Sequence, residues 1–181
     1  NVMKSCTFGT ATAPVKRRVE VKDGVLDWKS AGLSLAVVFE RYGKNGNVGY
    51  GFVEGALTKP GAVATTWSHD SHNLTVAYRD PKDAYLAAGT LRECAGGVCI
   101  ADNGEVTTLP LPVAGLMSQI VCADVAAQIE AVQKKLDTMT DGTVTLLATA
   151  IMALPVLPGV IITDRGLVDG LSQQFIEQFE G

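Results

Sequence analysis

The sequence predicts an α/β or α+β fold, a single-domain sandwich in which helices pack on a mixed β-sheet. Stretches rich in Val, Leu and Ile alternate with stretches whose apolar residues recur every three or four positions, so strands and helices are interleaved. Several strand-like stretches are joined through Asp-Gly or Asn-Gly pairs, which favour hairpin turns. A length of 181 residues, 47% of them hydrophobic, is enough for one domain with its own core.

The first part of the chain predicts strands after an irregular start. Residues 1–18 show little periodicity, and we expect an irregular lead-in there. Residues 19–28 predict two short strands around the tight-turn pair Asp23-Gly24. The segment from Leu33 to Arg41, rich in Leu and Val, predicts a longer strand.

The middle of the chain predicts a pair of strands, a helix and a hairpin. Residues 62–68 and 74–79 are strand-like and flank a short polar connection. Residues 81–94 predict a helix, because Pro81 suits a first helical position and apolar residues recur on one face. A hairpin that turns at Asn103-Gly104 follows.

The last third predicts two helices and a strand. Between Ser118 and Leu136, apolar residues recur at spacings of three and four, which indicates an amphipathic helix. The uncharged stretch from Thr143 to Thr163 is interrupted by prolines. Its helical part, Thr143 to Leu154, would span about 18 Å at about 1.5 Å per residue, against roughly 30 Å of bilayer hydrocarbon. We therefore expect no membrane span.

The domain is predicted to cover residues 19–170. Its last segment, residues 159–170, predicts a strand and a turn. Residues 171–181 are expected to form a frayed helix or a tail. The start at Asn1 rather than at a methionine suggests a fragment of a longer protein.

Charge and cysteine usage argue against two classes of protein. The formal net charge is −4 and the only basic cluster is Lys16-Arg17-Arg18, so we expect no nucleic-acid partner. The four cysteines include no Cys-x-x-Cys pair and the chain has two histidines, so a Cys/His zinc site is not expected. No signal-peptide pattern is visible, which makes a cytoplasmic location the default expectation.

One polar run holds both histidines and is the first candidate for chemistry. Imidazole and carboxylate groups together can move protons, orient one another or hydrogen-bond the nitrogens of a heterocycle. The alternative is a loop whose Asp, Ser and Asn side chains cap their own backbone. The candidate substrate-facing or active-site-closing residues are Ser68, His69, Asp70, Ser71, His72 and Asn73.

Two other interpretations of this run are weaker. A metal site is not favoured, because two histidines three residues apart on an extended segment would point to opposite faces. A triad of Ser68 or Ser71 with His72 and Asp70 lacks a Gly-x-Ser-x-Gly elbow, and such close neighbours rarely reach triad geometry.

The glycine-rich stretch at residues 42–55 is the second candidate. Such a density of glycine means a backbone that turns sharply or approaches something closely. Gly46, Gly49 and Gly51 are therefore candidates for close approach to a bound small molecule, and turn formation is the alternative. The stretch matches neither the phosphate-binding loop nor the dinucleotide fingerprint.

Four segments of the chain form an ordered set of motifs: Asn45–Gly51, Thr65–Asn73, Leu109–Met117 and Ala153–Pro158. In content and order they resemble the carboxy-terminal domain of the adenine deaminase family, over roughly residues 19–170. That family typically shows an arginine-led Gly-Asn-x-Gly segment, Ser-x-x-His-Asp-Ser-His-Asn, Leu-Pro-Leu-Pro-x-x-Gly-Leu-Met and Ala-Leu-Pro-Val-x-Pro. The second segment departs from the pattern, since the bulky Trp67 stands where small residues are usual.

This resemblance implies the hydrolytic removal of the adenine 6-amino group, which gives hypoxanthine and ammonia. It also implies a divalent metal pair, Mn or Fe, held in an amidohydrolase (β/α)8 barrel that is absent from this chain. The chain alone is then expected to bind no cofactor and to be inactive. Its expected role is to complete or support the active site, with the loop at 68–73 facing the barrel mouth.

The implied partners are the barrel of the same enzyme and adenine, and assembly into a homo-oligomer stays open. A function of another class is the alternative: a non-catalytic module for small-molecule binding or assembly. In that case the four segments would be scaffold and the glycine-rich stretch a ligand-facing surface.

Overall fold

An eight-stranded mixed β-sheet organises the residues that the computed structural model describes, which are 1–5 and 12–180. The order of strands across this main sheet is β10-β9-β7-β8-β5-β6-β1-β2. The elements in chain order are β1 (Val2–Ser5), β2 (Thr12–Val15), β3 (Val21–Lys22), β4 (Val25–Leu26), β5 (Leu33–Phe39), β6 (Val48–Glu54), β7 (Ala62–Thr65), β8 (Leu74–Tyr78), α1 (Pro81–Glu93), β9 (Gly97–Asp102), β10 (Glu105–Pro110), α2 (Cys122–Thr140), α3 (Leu146–Ala150), β11 (Val160–Thr163), β12 (Gly166–Asp169) and β13 (Gln174–Ile176).

The sheet topology confirms the predicted fold class. Strands β1 and β6 are parallel, and the other neighbouring pairs of the main sheet are antiparallel. Strands β11, β12 and β13 form a small antiparallel sheet, and β3 pairs with β4 in a short ribbon. The hairpin turns predicted at Asp23-Gly24 and Asn103-Gly104 are present.

Both faces of the main sheet are buried. In β5, Ala36 and Val38 belong to the core on one face, whereas Leu35 and Phe39 contact the clusters on the other face. The first face is covered by α2, α3 and the small sheet, and the second face is covered by α1 and by the segment around Trp28. This two-sided burial explains why the central strands are almost continuously apolar.

The expected irregular lead-in over residues 1–18 is wrong where the structure describes it. Strand β1 pairs with β6, and β2 pairs with β1 at the sheet edge. Val2 and Met3 are both buried, so these four-residue strands show no alternation that a periodicity argument could detect. Cys6 to Ala11 lie outside the described residues.

The frayed helix or tail expected over residues 171–181 is also wrong, because residues 174–176 of the described part form a strand. Strand β13 pairs with β12 in the small sheet, and Phe175 lies opposite Val168. The amino group of Asn1 donates to the carbonyl of Gln178 at 2.8 Å, so the last residues are held against the start of the chain. The division at residues 19 and 170 stays a prediction.

The glycine-rich stretch contains strand β6, which sequence periodicity did not reveal. Gly49 and Gly51 face the small sheet: a Cβ at Gly49 would lie 2.0 Å from the carbonyl oxygen of Thr163, and one at Gly51 would lie 2.9 Å from Ile162. Gly46 has a φ of +67° and open space around it, so it makes a turn. The approach at Gly49 and Gly51 is therefore to the chain's own second sheet.

The helices differ from their predicted bounds at their ends. Asp80 caps α1 by accepting from the amide of Lys82 at 2.7 Å. Helix α2 continues to Thr140, where Asp141 adopts a left-handed conformation. The helix expected over residues 143–154 is shorter in the structure, where α3 covers Leu146–Ala150. Pro155 disfavours a helical backbone at the residue before it, Leu154, so the helix cannot continue to its predicted end. Among the described residues, no helix has both the length and the apolarity needed to cross a membrane.

The contact between the two sheets yields a first prediction. In Gly49→Ala the new methyl group would meet the backbone of Thr163 and Gly166, which cannot move without displacing the β11–β12 turn. We expect the free energy of unfolding to fall by about 1–3 kcal/mol in urea denaturation. The matched control is Gly89→Ala, in the middle of α1 with open space around it, which should raise stability by up to about 1 kcal/mol. Equal stabilities of the two variants would contradict the proposed sheet contact.

Candidate functional site

Several connections of the main sheet emerge at one end, which we call the polar end. Paired positions that mark this end are Phe39 with Leu74, and Gly97 with Pro110. Because the strands are antiparallel, the segments that leave β5 and β10 and the segment that joins β7 to β8 meet there. These segments are residues 40–47, 66–73 and 111–121.

The predicted polar run forms a turn at this end, and the turn brings the two histidines together. The amide of His72 donates to the carbonyl of Ser68 at 2.6 Å, and His72 has a φ of +51°. The rings of His69 and His72 lie with their centroids 5.6 Å apart. The expectation that these rings point to opposite faces is wrong, because it assumed an extended segment.

The other members of the run divide into buried and exposed groups. Ser68 is buried and its hydroxyl lies 2.9 Å from that of Thr75, so it holds the base of the turn. Asn73 is buried, and its backbone amide donates to the hydroxyl of Ser71. Asp70 and Ser71 are exposed at the tip of the turn. Ser68 and Asn73 thus shape the loop, while both imidazoles and Asp70 remain as chemically active groups.

Both imidazoles carry a buried nitrogen that the described residues do not satisfy. The Nδ1 atoms of His69 and His72 are buried and have no hydrogen-bond partner within residues 1–5 and 12–180. A Ser-His-Asp triad is therefore not formed in the described part of the chain. Burying an unsatisfied polar atom costs about 1–3 kcal/mol, so the turn is held in this arrangement at some cost. Both histidines are partly exposed, so the remaining ring atoms face the surface.

The surroundings of His72 keep its imidazole neutral. Burial lowers the pKa of His72 from its ordinary value of 6.5, and the nearby charges of His69 and Arg41 lower it further, while Asp70 acts in the opposite direction. A neutral imidazole has one nitrogen that donates and one that accepts a hydrogen bond. His72 can therefore offer either function to a polar heterocycle at neutral pH.

Arg41 connects its own segment, residues 40–47, to the other two segments. The candidate residues from the sequence did not include it. Its Nε donates to the carbonyl of His72, and one of its terminal nitrogens donates to the carbonyl of Ala114 at 2.6 Å. Thr66 adds a second link, since its hydroxyl donates to the carbonyl of Gly115 at 2.7 Å. The sequence signal was the position of Arg41 ahead of the Asn45–Gly51 segment.

Close packing around this link explains a glycine of the third segment. A Cβ at Gly115 would lie 2.9 Å from both the Arg41 guanidinium and the Thr66 hydroxyl. The amide of His69 also donates to the carbonyl of Ala150 at 2.8 Å, which ties the turn to the end of α3. The three resembling segments at residues 45–51, 65–73 and 109–117 thus converge at the polar end.

Glu40 orders the turn that follows β5, at residues 42–46. Its carboxylate accepts hydrogen bonds from the amides of Tyr42, Lys44 and Asn45, at distances between 2.6 and 3.2 Å. Burial by itself would raise the pKa of Glu40, but these amides, together with that of Gly46, hold it below its usual value. The carboxylate is thus directed at the turn rather than at the neighbouring Arg41.

The donor set at the polar end does not fit a metal pair. Within residues 1–5 and 12–180, no three His, Cys, Asp or Glu side chains lie close enough together to hold a metal ion. Two imidazoles and one exposed carboxylate at the loop tip fall short of the clustered ligands that a binuclear site needs. No chemical step of this chain can be derived through a metal.

Comparison with known proteins identifies relatives over nearly the whole chain. Residues 9–174 match the family model described as the adenine deaminase C-terminal domain. An adenine deaminase of Moorella thermoacetica is 42% identical over 183 residues, covering 99% of this chain and 31% of the relative. Adenine deaminase 2 of Shouchella clausii is 36% identical over 180 residues, covering 98% of this chain and 31% of the relative. The chain therefore spans about a third of the length of these relatives.

The lowered pKa of His72 predicts a pH dependence of stability. In the unfolded chain, histidine titrates near pH 6.5, so below that pH the unfolded state binds more protons than the folded state. The stabilising contribution is present above pH 6.5 and is lost as the pH falls through the pKa of the folded state. In His72→Asn, which suits the left-handed backbone, the fall in the free energy of unfolding below pH 6.5 should be shallower. An unchanged slope, measured by urea denaturation, would contradict the assignment.

The double link of Arg41 predicts how the loops respond to its removal. Arg41→Gln should lower the free energy of unfolding by about 1 kcal/mol, because the half-buried carbonyl of His72 and the exposed carbonyl of Ala114 lose a charged donor. Amide hydrogen exchange should accelerate at residues 68–73 and 111–117 and stay unchanged in the main sheet. The matched control is Arg79→Gln, because Arg79 also donates to two carbonyls but at the opposite end of the sheet. If both variants accelerate exchange in the same loops, Arg41 has no specific role there.

Proposed function

The chain belongs to the adenine deaminase C-terminal domain family, and on that premise we propose that it serves as the C-terminal domain of a metal-dependent adenine deaminase. In the reaction, the oxygen of water forms a bond to C6 of adenine and the 6-amino group leaves as ammonia, giving hypoxanthine. The proposed role of this chain is to complete or support an active site that lies in an amidohydrolase barrel of the same protein.

One observation carries the proposal: two partly exposed imidazoles lie side by side at the polar end, each with an Nδ1 that has no partner among the described residues. A partner outside the chain, either the barrel mouth or the purine, would contact the accessible part of these rings. The lowered pKa of His72 suits contact with a neutral purine, because an uncharged imidazole can donate to or accept from a ring nitrogen. Asp70 and Ser71, exposed at the tip of the same turn, would close the site around the purine.

The divalent metal pair of the proposed enzyme, Mn or Fe, belongs to the barrel, where it supplies the activated water. The residues of this chain would act on the purine and on the entrance to the site. Gly46, Gly49 and Gly51 have no proposed contact with substrate, since the turn and the small sheet account for them.

An apolar surface beside the polar end supports a large partner. Val121, just before α2, and Ile129, in its first half, are 69% and 42% accessible, although they belong to one apolar stripe. Ile129 lines a groove of about 780 Å³ between α2 and α3, and Trp67 lies in the same groove. Because Trp67 also packs edge-on against His69, a barrel that covers the groove would reach the histidine turn.

The same surface favours one alternative, an assembly module in which a second copy of the chain covers α2. That interface would form without the barrel, so it predicts a dimer of the isolated chain. Sedimentation of the chain and of Ile129→Glu separates the two cases: a monomer in both supports the barrel as the partner, and a dimer lost in Ile129→Glu supports assembly.

The decisive experiment replaces the matching third of the Moorella thermoacetica enzyme with this chain. We expect the chain alone to release no ammonia from adenine, and the chimera to do so with Mn²⁺ or Fe²⁺ present. His72→Asn in the chimera should lower kcat/KM about tenfold, which corresponds to one lost hydrogen bond of about 1.4 kcal/mol.

The matched control is Asp23→Asn, another left-handed position, which is exposed and lies in the β3–β4 turn away from the polar end. It should leave kcat and KM unchanged. Unchanged constants in His72→Asn as well would remove the proposed contact with substrate. Full activity of the barrel part without this chain would make the domain a purely structural one.

A further inference from the structure

A second recess lies on the α1 side of the main sheet, next to the polar end. It is a cleft of about 440 Å³ between α1 and the end of β5, and none of residues 68–73 lines it. Phe39, Leu74 and Ala88 supply apolar walls, and all three contact the core between α1 and the sheet. Small-molecule sites in proteins typically measure about 300–1,000 Å³, so the cleft has room for an organic ligand.

Two guanidinium groups, those of Arg41 and Arg92, border this apolar cleft. Neither forms a salt bridge within the part of the chain that the structure describes. Among the described residues, Arg41 is bonded only to carbonyl and hydroxyl oxygens, and the nearby Glu40 carboxylate is directed at the amides of residues 42–46. Positive charge therefore stands beside apolar walls, in a chain whose net charge is −4.

Helix α1 is locally adapted to leave the cleft open. Gly89 stands in the interior of the helix and lines the cleft, with open space where a Cβ would be. A glycine at such a position costs about 1 kcal/mol relative to alanine. Fold stability therefore does not require it, whereas a larger side chain would extend into the recess.

We propose that this cleft binds a small organic anion, a carboxylate or phosphate on a flat apolar body. The apolar body would pack between Phe39 and Ala88, and the anionic group would lie between the guanidinium groups of Arg41 and Arg92. Guanidinium matches the planar geometry of carboxylate and phosphate, and its charge selects an anion over a neutral molecule of the same shape. The proposal does not rest on the proposed deaminase function, because adenine is neutral and none of residues 68–73 lines the cleft. The two sites share Arg41, whose Nε donates to the carbonyl of His72.

The test uses the chain itself with two probes of equal shape, 2-naphthoate and the neutral 2-naphthalenemethanol. Titration by isothermal calorimetry should show naphthoate binding at least about fivefold more tightly than the alcohol, since a guanidinium pair discriminates by charge. In amide NMR spectra, naphthoate should shift the signals of Gly89, Ala95 and Gly96. Equal affinities, or shifts at the α2–α3 groove instead, would overturn the proposal.

Three variants complete the test. Gly89→Leu should abolish naphthoate binding by filling the cleft while leaving the helix intact, and Arg92→Gln should weaken it about two- to fivefold. Lys134→Gln is the matched control, because Lys134 borders the other apolar groove. It should leave the affinity unchanged. Loss of binding in Lys134→Gln, or unchanged binding in both cleft variants, would show that the cleft is not the site.

Discussion

Burial of both faces of the main sheet is the constraint from which the rest of the structure follows. Central strands that are apolar on both sides need a cover on each side, and α1 supplies one while α2, α3 and the small sheet supply the other. The small sheet can come close because Gly49 and Gly51 have no side chains to exclude it. With both faces covered, polar and titratable groups collect where the strands end.

At the polar end, side chains replace the strand-to-strand ladder as the source of order. Arg41 and Thr66 bind carbonyls of neighbouring segments, and Glu40 collects the amides of its own turn. The histidine turn is held both by these neighbours and by its own Ser68, whose hydroxyl lies 2.9 Å from that of Thr75. Both imidazoles stay partly exposed, although their Nδ1 atoms are buried, and partial exposure is the property that a site completed by another domain would need.

The chain combines a well-packed core with a surface that exposes apolar residues. Its three buried clusters close around the sheet, yet apolar residues of α2 stay exposed beside two imidazole nitrogens that have no partner among the described residues. Large exposed apolar areas commonly mark interaction surfaces in proteins. The chain spans 31% of the length of each of the two relatives compared above.

The sequence by itself determined the fold class, the hairpin turns, helix α1 and the family, because these depend on local patterns and on ordered motifs. Strands β1, β2, β6 and β13 escaped it, since short or glycine-rich strands carry no alternation and exist only through their partners. The polar run was found from its residue types, but the pairing of His69 with His72 was not. Only the structure decided both points, for different reasons. The two histidines meet because residues 68–72 form a turn rather than an extended segment, and Arg41 acts through contacts with segments far from it in the chain.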